Sequence, residues 1–509
     1  MTDDLSRAPI GALPEETRVL VRAVRDGEWQ APHPLYVVWE ITLACDLGCK
    51  HCGSRAGPAR ETELSTAQCL DVVRQMAEMG VREVTLIGGE AYLREDWDVI
   101  AAAIGKAGMA CGITTGARNL DAERLKRAVD AGVRGISVSL DGLERTHDAQ
   151  RGAPGAFQAA VEAARRVAAS PIRLATNTQI NQLSLPELPA LANLLADVGS
   201  KAWQIQITVP MGRGADRPGL LLQPWQMLEL FPLLAWIKRT RLTPNGVRLF
   251  PGNNIGYFGP YERELRYGGG EGAHWAGCAA GKWCLGIEAD GKIKGCPSLP
   301  SEDYTGGFAG RDDLAEVVAD TPELRFLRER TRDDLWGYCR SCYYADVCKA
   351  GCTWTSHCLL GRSGNNPYCI HRALEHEKDG LRERLVHAQP APGLPFDYGR
   401  FDLVVETLPE ADGPPTIGGF TLERLAALDR AIELKLFECD CVDALGHREL
   451  AHSDLGWIMS IIAGAAGTTT AVWHGKRFSR ESDRLMALHE ELQALRTERE
   501  VIETLLIGA

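Results

Sequence analysis

A chain of 509 residues, 45% hydrophobic and 24% charged, is long enough for about two to four domains with sizeable cores. Its formal net charge of −12 leaves no basic surplus to neutralise phosphates, which argues against nucleic-acid and anionic-membrane partners. No uninterrupted apolar run reaches the roughly 18 residues of a membrane helix. The opening Met1-Thr2-Asp3-Asp4-Leu5-Ser6-Arg7 lacks the basic-then-apolar pattern of a signal peptide, so the expected address is the cytoplasm. Thiols stay reduced there, and sixteen cysteines in a large chain read as metal or redox ligands rather than disulfides.

Residues 1–34 read as an extension with one short helix over 15–26. From residue 35, strand-like runs at 35–41, 83–87, 110–114, 135–140, 172–178 and 202–209 alternate with amphipathic stretches at 66–79, 96–106, 122–131, 155–168, 185–195 and 223–238. Six such units predict an α/β fold over residues 35–250, a parallel sheet with right-handed crossovers in a partial (β/α)6 barrel. Active-site groups of α/β barrels stand on loops at the carboxyl ends of the strands.

Three of those loops carry chemistry. The first strand runs into Cys45-Asp46-Leu47-Gly48-Cys49-Lys50-His51-Cys52, a C-x3-C-x2-C spacing with no fourth cysteine nearby. Structural zinc needs four ligands and a disulfide two, whereas three thiolates on a [4Fe–4S] cluster leave one iron open to an outside ligand. After the second strand, Gly88-Gly89-Glu90 is either a strand-to-helix turn or a place where a ligand approaches backbone and a carboxylate accepts from its ammonium. After the fourth, Ser139-Leu140-Asp141-Gly142 is either a turn or a hydroxyl and carboxylate suited to a ribose; Asn177 and Gln179 end the fifth.

Residues 251–390 change character. A loop containing Tyr257, Tyr261, Tyr267 and Gly268-Gly269-Gly270 precedes Cys278, Cys284, Cys296, Cys339, Cys342, Cys348, Cys352, Cys358 and Cys369, with a hairpin expected around Ala289-Asp290-Gly291. Nine cysteines allow two four-ligand sites with one thiol left over, and spacing alone does not separate zinc from iron–sulfur. The accessory region, 391–509, opens with prolines and predicts helices at 422–437 and 482–506, the second with an apolar stripe through Leu485, Leu488, Leu492, Leu495 and Ile502. Cys439, Cys441, His447 and His452 there are either incidental or a metal site.

The three-cysteine loop followed by Gly88-Gly89-Glu90 resembles radical S-adenosylmethionine (SAM) enzymes. The later cysteines resemble the SPASM extension of that superfamily's peptide-modifying members: Cys278-x12-Gly291-x4-Cys296, Cys339-x2-Cys342-x5-Cys348-x3-Cys352, then Cys369. The resemblance spans residues 35–372 and implies a partial radical SAM barrel, a small cysteine-rich SPASM domain and a mostly helical C-terminal region. It also implies SAM and three [4Fe–4S] clusters. Cys45, Cys49 and Cys52 would hold the SAM cluster; Cys278, Cys284, Cys296 and Cys352 a first auxiliary cluster; Cys339, Cys342, Cys348 and Cys369 a second, leaving Cys358 spare. Gly88, Gly89 and Glu90 would line the methionine of SAM, Ser139 and Asn177 would serve as further cofactor contacts, and Arg151 would approach its carboxylate. No catalytic acid or base is named. Sulfatase-maturing relatives place an aspartate base directly after the cysteine matching Cys296, where this chain has Pro297. The implied activity is hydrogen abstraction by a 5′-deoxyadenosyl radical on a ribosomally made peptide, with a ferredoxin or flavodoxin as electron donor. Residues 1–34 are too short for the winged-helix recognition domain of some peptide maturases, so any leader would be recognised by the C-terminal region or by a separate protein. The alternatives are a small-molecule substrate of tetrapyrrole or alcohol type, or a zinc-stabilised scaffold without catalysis.

Overall fold

Alternating side chains decide the sheet. In a computed structural model describing residues 33–267, 275 and 277–408, strands β1 (Tyr36–Glu40), β2 (Glu83–Ile87), β3 (Ala110–Thr115), β4 (Gly135–Ser139), β5 (Arg173–Ile180), β6 (Ala202–Ile207) and β7 (Arg248–Pro251) pair in parallel in chain order. The larger of two compact units holds the described residues of 33–228 and 237–408. Expected helices at 15–26, 422–437 and 482–506, the glycine run at 268–270 and the cluster Cys439, Cys441, His447, His452 lie outside the described residues.

One face of the sheet carries Val37, Trp39, Leu86, Val138, Trp203 and Ile205, all fully buried; burying each such side chain contributes about 1.5–3 kcal/mol. The opposite face is small or polar: registered pairs place Ser139 beside Asn177, Asn177 beside Gln204, and Gln179 beside Gln206. Six strands were legible as alternating runs. The four-residue β7 was not, because it has no repeat of its own.

The crossovers follow the expected helices. Helix α1 (Thr66–Glu78) begins at a reciprocal cap between Ser65 and Gln68 and buries Cys69, Val72, Val73 and Met76, the i, i+3, i+4, i+7 stripe. Helices α2 (Trp97–Lys106) and α3 (Ala122–Asp130) follow. Helix α4 (Glu144–Arg151) was not expected: its buried residues are His147, Gln150 and Arg151, so it has no apolar stripe to read. Helices α5 (Ala156–Ala168) and α6 (Leu188–Asp197) complete the set. The helical passage Pro218–Asn245 has a length and composition that would cross a membrane, and 61% of its most apolar window is buried in the protein.

The expected hairpin exists, as β8 (Cys284–Ile287) and β9 (Lys292–Lys294), but β8 also lies parallel to β1. With β10 (Gly307–Phe308) it extends the sheet to the order β10-β9-β8-β1-β2-β3-β4-β5-β6-β7, open at β10 and β7. Thus the first cysteine-rich hairpin continues the barrel sheet across residue 250. A separate antiparallel pair, β11 (Leu381–Gln389) and β12 (Arg400–Thr407), spans the linker expected near residue 391.

A buried ion network locks β8 and β9 onto β1. Arg60 Nη2 lies 3.1 Å from Glu40 Oε1 and 2.8 Å from Glu288 Oε2, its Nη1 is 2.6 Å from Asp290, and the fully buried Lys294 Nζ is 2.8 Å from Glu288 Oε1. Burial lifts the Glu40 carboxyl to about 7 although Arg60 opposes it, whereas Lys294 and Arg60 outweigh burial and hold Glu288 below the usual carboxylate range. Removing one partner of such a network leaves an uncompensated buried charge, which costs about 3–5 kcal/mol. Lys294→Met is therefore expected to lower stability by that order in denaturant unfolding; an unchanged midpoint would show that the network does not hold the hairpin.

Candidate active site

The three-cysteine loop starts where β1 ends and is held by its main chain. Cys45 N–H donates to Gly57 O at 2.8 Å, and Gly57 N–H to Leu43 O at 3.1 Å. From the second strand end, Gly89 N–H donates to Thr42 O at 2.9 Å and Glu90 N–H to Ala44 O at 2.7 Å. The unpaired carbonyls at the end of α4 take two more donors: Gly48 N–H to Arg151 O at 3.1 Å and Lys50 N–H to Gln150 O at 2.7 Å. From the loop after β6, Arg213 donates through Nε to Cys49 O at 2.7 Å, through Nη1 to Ala56 O at 2.9 Å, and through its backbone N–H to Cys52 O at 2.9 Å.

Two glycines are forced by these contacts. A Cβ on Gly89 would sit 2.1 Å from Ala44 O, and one on Gly152, at φ +67°, 2.6 Å from Gly48 O. The Gly88-Gly89 pair, read either as a turn or as room for a ligand, packs one side against the stem of the cysteine loop, with Thr42 O 2.3 Å from a Cβ on Gly88.

The sulfurs receive weaker contacts: Arg151 Nη1 approaches Cys49 Sγ at 3.7 Å and Ala56 N–H donates to Cys52 Sγ at 3.4 Å. All three cysteines pack against Leu47, Ala153 and Ala156. Burial pushes the Cys45 thiol up to about 12, with Glu90, Cys49 and Cys52 adding to the rise, so the three sulfurs form one electrostatic neighbourhood.

Glu90 stands beside them, 1% exposed. Its Oε2 accepts from Gly116 N–H at 3.0 Å, Ala117 N–H at 3.2 Å and Tyr92 Oη at 3.2 Å, while Oε1 is buried without a hydrogen-bond partner. Burial raises this carboxyl to about 7, against a hydrogen bond from Thr115 that lowers it. Leaving a carboxylate oxygen buried and unpaired costs about 1–3 kcal/mol or more, which an ammonium donor would recover. The Gly116-Ala117 turn was missed in the sequence; its only signal was a glycine at the end of β3.

Asp141, read in the sequence either as a turn residue or as a ribose partner, is engaged within the protein. The carboxylate is fully buried and committed to Arg151 Nη2 at 2.6 Å, Gln179 N–H at 2.8 Å and His51 Nε2 at 3.3 Å. Burial opposes its charge, but Arg151 prevails and holds it below the usual range. Burial also lowers His51 and His147 to about 4, leaving both neutral around that ion pair. Ser139 is buried at the end of β4, and Asn177 Nδ2 lies 3.4 Å from Ser137 Oγ on the polar face of the sheet.

The resemblance assigns eight of the later cysteines to two sets of four. Burial raises the Cys278 and Cys352 thiols, with Cys296 adding to both, and Cys284 beside Cys296 raises that thiol further. Cys339, Cys342, Cys348 and Cys369 line one cavity with Tyr257, Phe258, Tyr344 and Arg372. Cys358 is fully buried among Val209, Met211 and Phe396, away from that cavity. Among the described residues no three His, Cys, Asp or Glu side chains converge tightly enough for a single ion. Thiols grouped around a space suit a larger cluster, whose irons each take one thiolate.

Residues 39–181 match the family model described as the Radical SAM superfamily. The chain is 28% identical over 353 residues to an AdoMet-dependent heme synthase of Methanosarcina barkeri, covering 67% of this chain and 97% of that protein. It is 29% identical over 392 residues to the mycofactocin maturase MftC of Mycobacterium ulcerans, covering 73% and 99%. In fold it is similar to Streptococcus suis SuiB bound to S-adenosylmethionine, with a TM-score of 0.50 at 18% identity over 64% of this chain and 74% of that one. It is also similar to anSMEcpe with bound AdoMet, with a TM-score of 0.54 at 14% identity over 67% and 95%. The chain carries a radical SAM domain and is a radical SAM enzyme.

The packing around Gly89 gives a structural prediction. Gly89→Ala forces Cβ into Ala44 O and is expected to destabilise by at least about 2 kcal/mol, with loss of bound iron from the cysteine loop. Gly105→Ala, in α2 with nothing within 4 Å of the added Cβ, is expected instead to stabilise by about 0.5–1 kcal/mol. Thermal melts with iron assays on the two variants check this, and equal shifts would contradict it.

Proposed function

We propose that this enzyme modifies a ribosomally made peptide by radical SAM chemistry. SAM would bind between the loop of Cys45, Cys49 and Cys52 and the Glu90 carboxylate. The observation that carries the cofactor site is the buried, unpartnered Glu90 Oε1 beside three grouped thiols. When bound, the cluster and SAM supply a 5′-deoxyadenosyl radical that takes a hydrogen atom from the substrate.

The chain's own residues do the holding. Cys45, Cys49 and Cys52 would supply thiolates; burial keeps the Cys45 and Cys49 thiols protonated until a metal displaces the protons. Glu90 accepts from the SAM ammonium, while Tyr92 and the Gly116 and Ala117 N–H groups fix the other carboxylate oxygen. Arg151, held by Asp141, keeps a positive charge beside Cys49 and within reach of a carboxylate. Gly88, Ser139 and Asn177 complete the SAM contacts.

The auxiliary sets, Cys278 with Cys284, Cys296 and Cys352, and Cys339 with Cys342, Cys348 and Cys369, would each hold a further [4Fe–4S] cluster, making three. Residues 251–390 act as the auxiliary-cluster domain and 391–509 as an accessory region. A ferredoxin or flavodoxin supplies electrons in the cytoplasm, and a separate protein presents the leader of the peptide. The mycofactocin maturase relative supports the peptide reading. The heme synthase relative supports a second one, a tetrapyrrole side chain.

Anaerobic enzyme should release 5′-deoxyadenosine with the candidate precursor peptide encoded beside its gene, and Cys49→Ala should release none. Release with a tetrapyrrole alone would favour the second reading; release from the Cys49→Ala variant would overturn the ligand assignment. About twelve irons with matching sulfide are expected per chain, whereas zinc without sulfide would indicate a scaffold.

The raised Glu90 carboxyl sets a pH dependence. Above pH 7 it is ionised and accepts from the ammonium; below, it is protonated, so SAM affinity is expected to fall as pH drops from 8 to 6. Glu90→Gln should weaken binding by about tenfold or more and flatten that dependence, as read by equilibrium dialysis. A variant with unchanged affinity and an unchanged pH slope would remove Glu90 from the site.

A further inference from the structure

The cavity between Cys339, Cys342, Cys348 and Cys369 has a charged wall. Among the described residues that line it, Arg372 carries the only permanent positive charge. The side chain is 3% exposed. Its Nη2 lies 2.5 Å from Glu383 Oε1, Nη1 donates to Asn365 Oδ1 at 2.6 Å and to Asn366 O at 3.2 Å, and Nε is buried without a hydrogen-bond partner. The guanidinium also lies over the Tyr338 ring, 5.0 Å from its centroid. Asn366, which Arg372 holds through its carbonyl, donates its N–H to Cys339 Sγ at 3.4 Å.

The partner charge comes from another element. Glu383 sits in β11, 4% exposed, with His376 Nε2 3.3 Å from the same Oε1 that meets Arg372. The two charges reach the cysteines unequally. Arg372 lines the cavity together with the four cysteines, whereas Glu383, which meets Arg372, does not line it. The cation is thus nearer in effect to the sulfurs than the anion that balances it.

We infer that Arg372 and Glu383 tune the reduction potential of the group held by Cys339, Cys342, Cys348 and Cys369, with Arg372 raising it and Glu383 holding it down. Adding an electron to a cluster adds negative charge, which a buried cation favours and a buried anion opposes, both undiluted by solvent. Through β11, the C-terminal hairpin thereby contributes a charge to a redox centre in the cysteine-rich segment. Arg372 and Glu383 are positioning residues here, since neither ligates. The inference rests on the proposed second auxiliary cluster.

Potentiometric electron paramagnetic resonance on full-length, fully loaded enzyme at one fixed pH tests it. Arg372→Met is expected to lower the potential of one auxiliary signal, and Glu383→Gln to raise the potential of the same signal. Each change should alter the reduced-to-oxidised ratio at a set potential by about tenfold, equivalent to about 59 mV for one electron. Arg372→Lys, which keeps the charge, should stay closer to the parent than Arg372→Met. The signals of the other two clusters should not move.

Shifts of the same sign in both variants, or no shift in either, would overturn the inference, because a merely structural pair gives no opposite-signed response. Should Arg372→Met lose its iron, the near-isosteric Glu383→Gln decides alone: an upward shift supports the inference and an unmoved potential overturns it. A parent enzyme with about eight irons and no third signal would instead remove the cluster itself, and with it the proposed cofactor count.

Discussion

The loop from Cys45 to Cys52 is fixed at several points by hydrogen bonds from different elements: the stem of β1, the glycine turn after β2, the end of α4 and Arg213 from the loop after β6. Nearly all of these bonds engage main-chain groups of the loop, which leaves the sulfurs to other partners. A cluster ligand loop must satisfy its backbone in a buried place while keeping its side chains available, and unsatisfied buried backbone groups are costly. Gly89 and Gly152 follow from that requirement, because each lets another backbone come closer than a Cβ permits.

Charge is arranged around the same loop with equal economy. Glu40 and Glu90 are both buried carboxyls lifted to about 7, yet they have different surroundings. Glu40 meets Arg60 in a network that ties the barrel sheet to the cysteine-rich hairpin. Glu90 makes no ion pair among the described residues and keeps one oxygen free. Arg151, by contrast, already has its counterion in Asp141 and so stands beside Cys49 without needing solvent. One carboxylate is paired within the protein, and the other keeps an oxygen without a partner, as the proposed SAM site requires.

The sequence shows some of this plainly. Strands β1 to β6 were readable because buried residues alternate, whereas the grouping of the later cysteines comes from the family pattern alone. Helix α4 was invisible because its buried face is His147, Gln150 and Arg151 rather than an apolar stripe. Arg213 lies more than 150 residues from the loop it holds, as its bonds to Cys49 and Ala56 show, and no local signal announces such a contact. The pairing of β8 with β1 was hidden for the same reason. Asp141 stayed open between two readings because a strand-end aspartate looks the same in sequence whether it faces a ligand or a buried arginine.

The central proposal is that an open iron held by Cys45, Cys49 and Cys52 would take the amino nitrogen of SAM, whose remaining N–H groups would donate to Glu90. The most direct measurement is electron–nuclear double resonance on the reduced enzyme with SAM carrying ¹⁵N at its amino group. The account predicts a hyperfine coupling between that nitrogen and the cluster spin, present with labelled SAM and absent with unlabelled SAM. A reduced cluster that shows no such coupling at saturating SAM would contradict it.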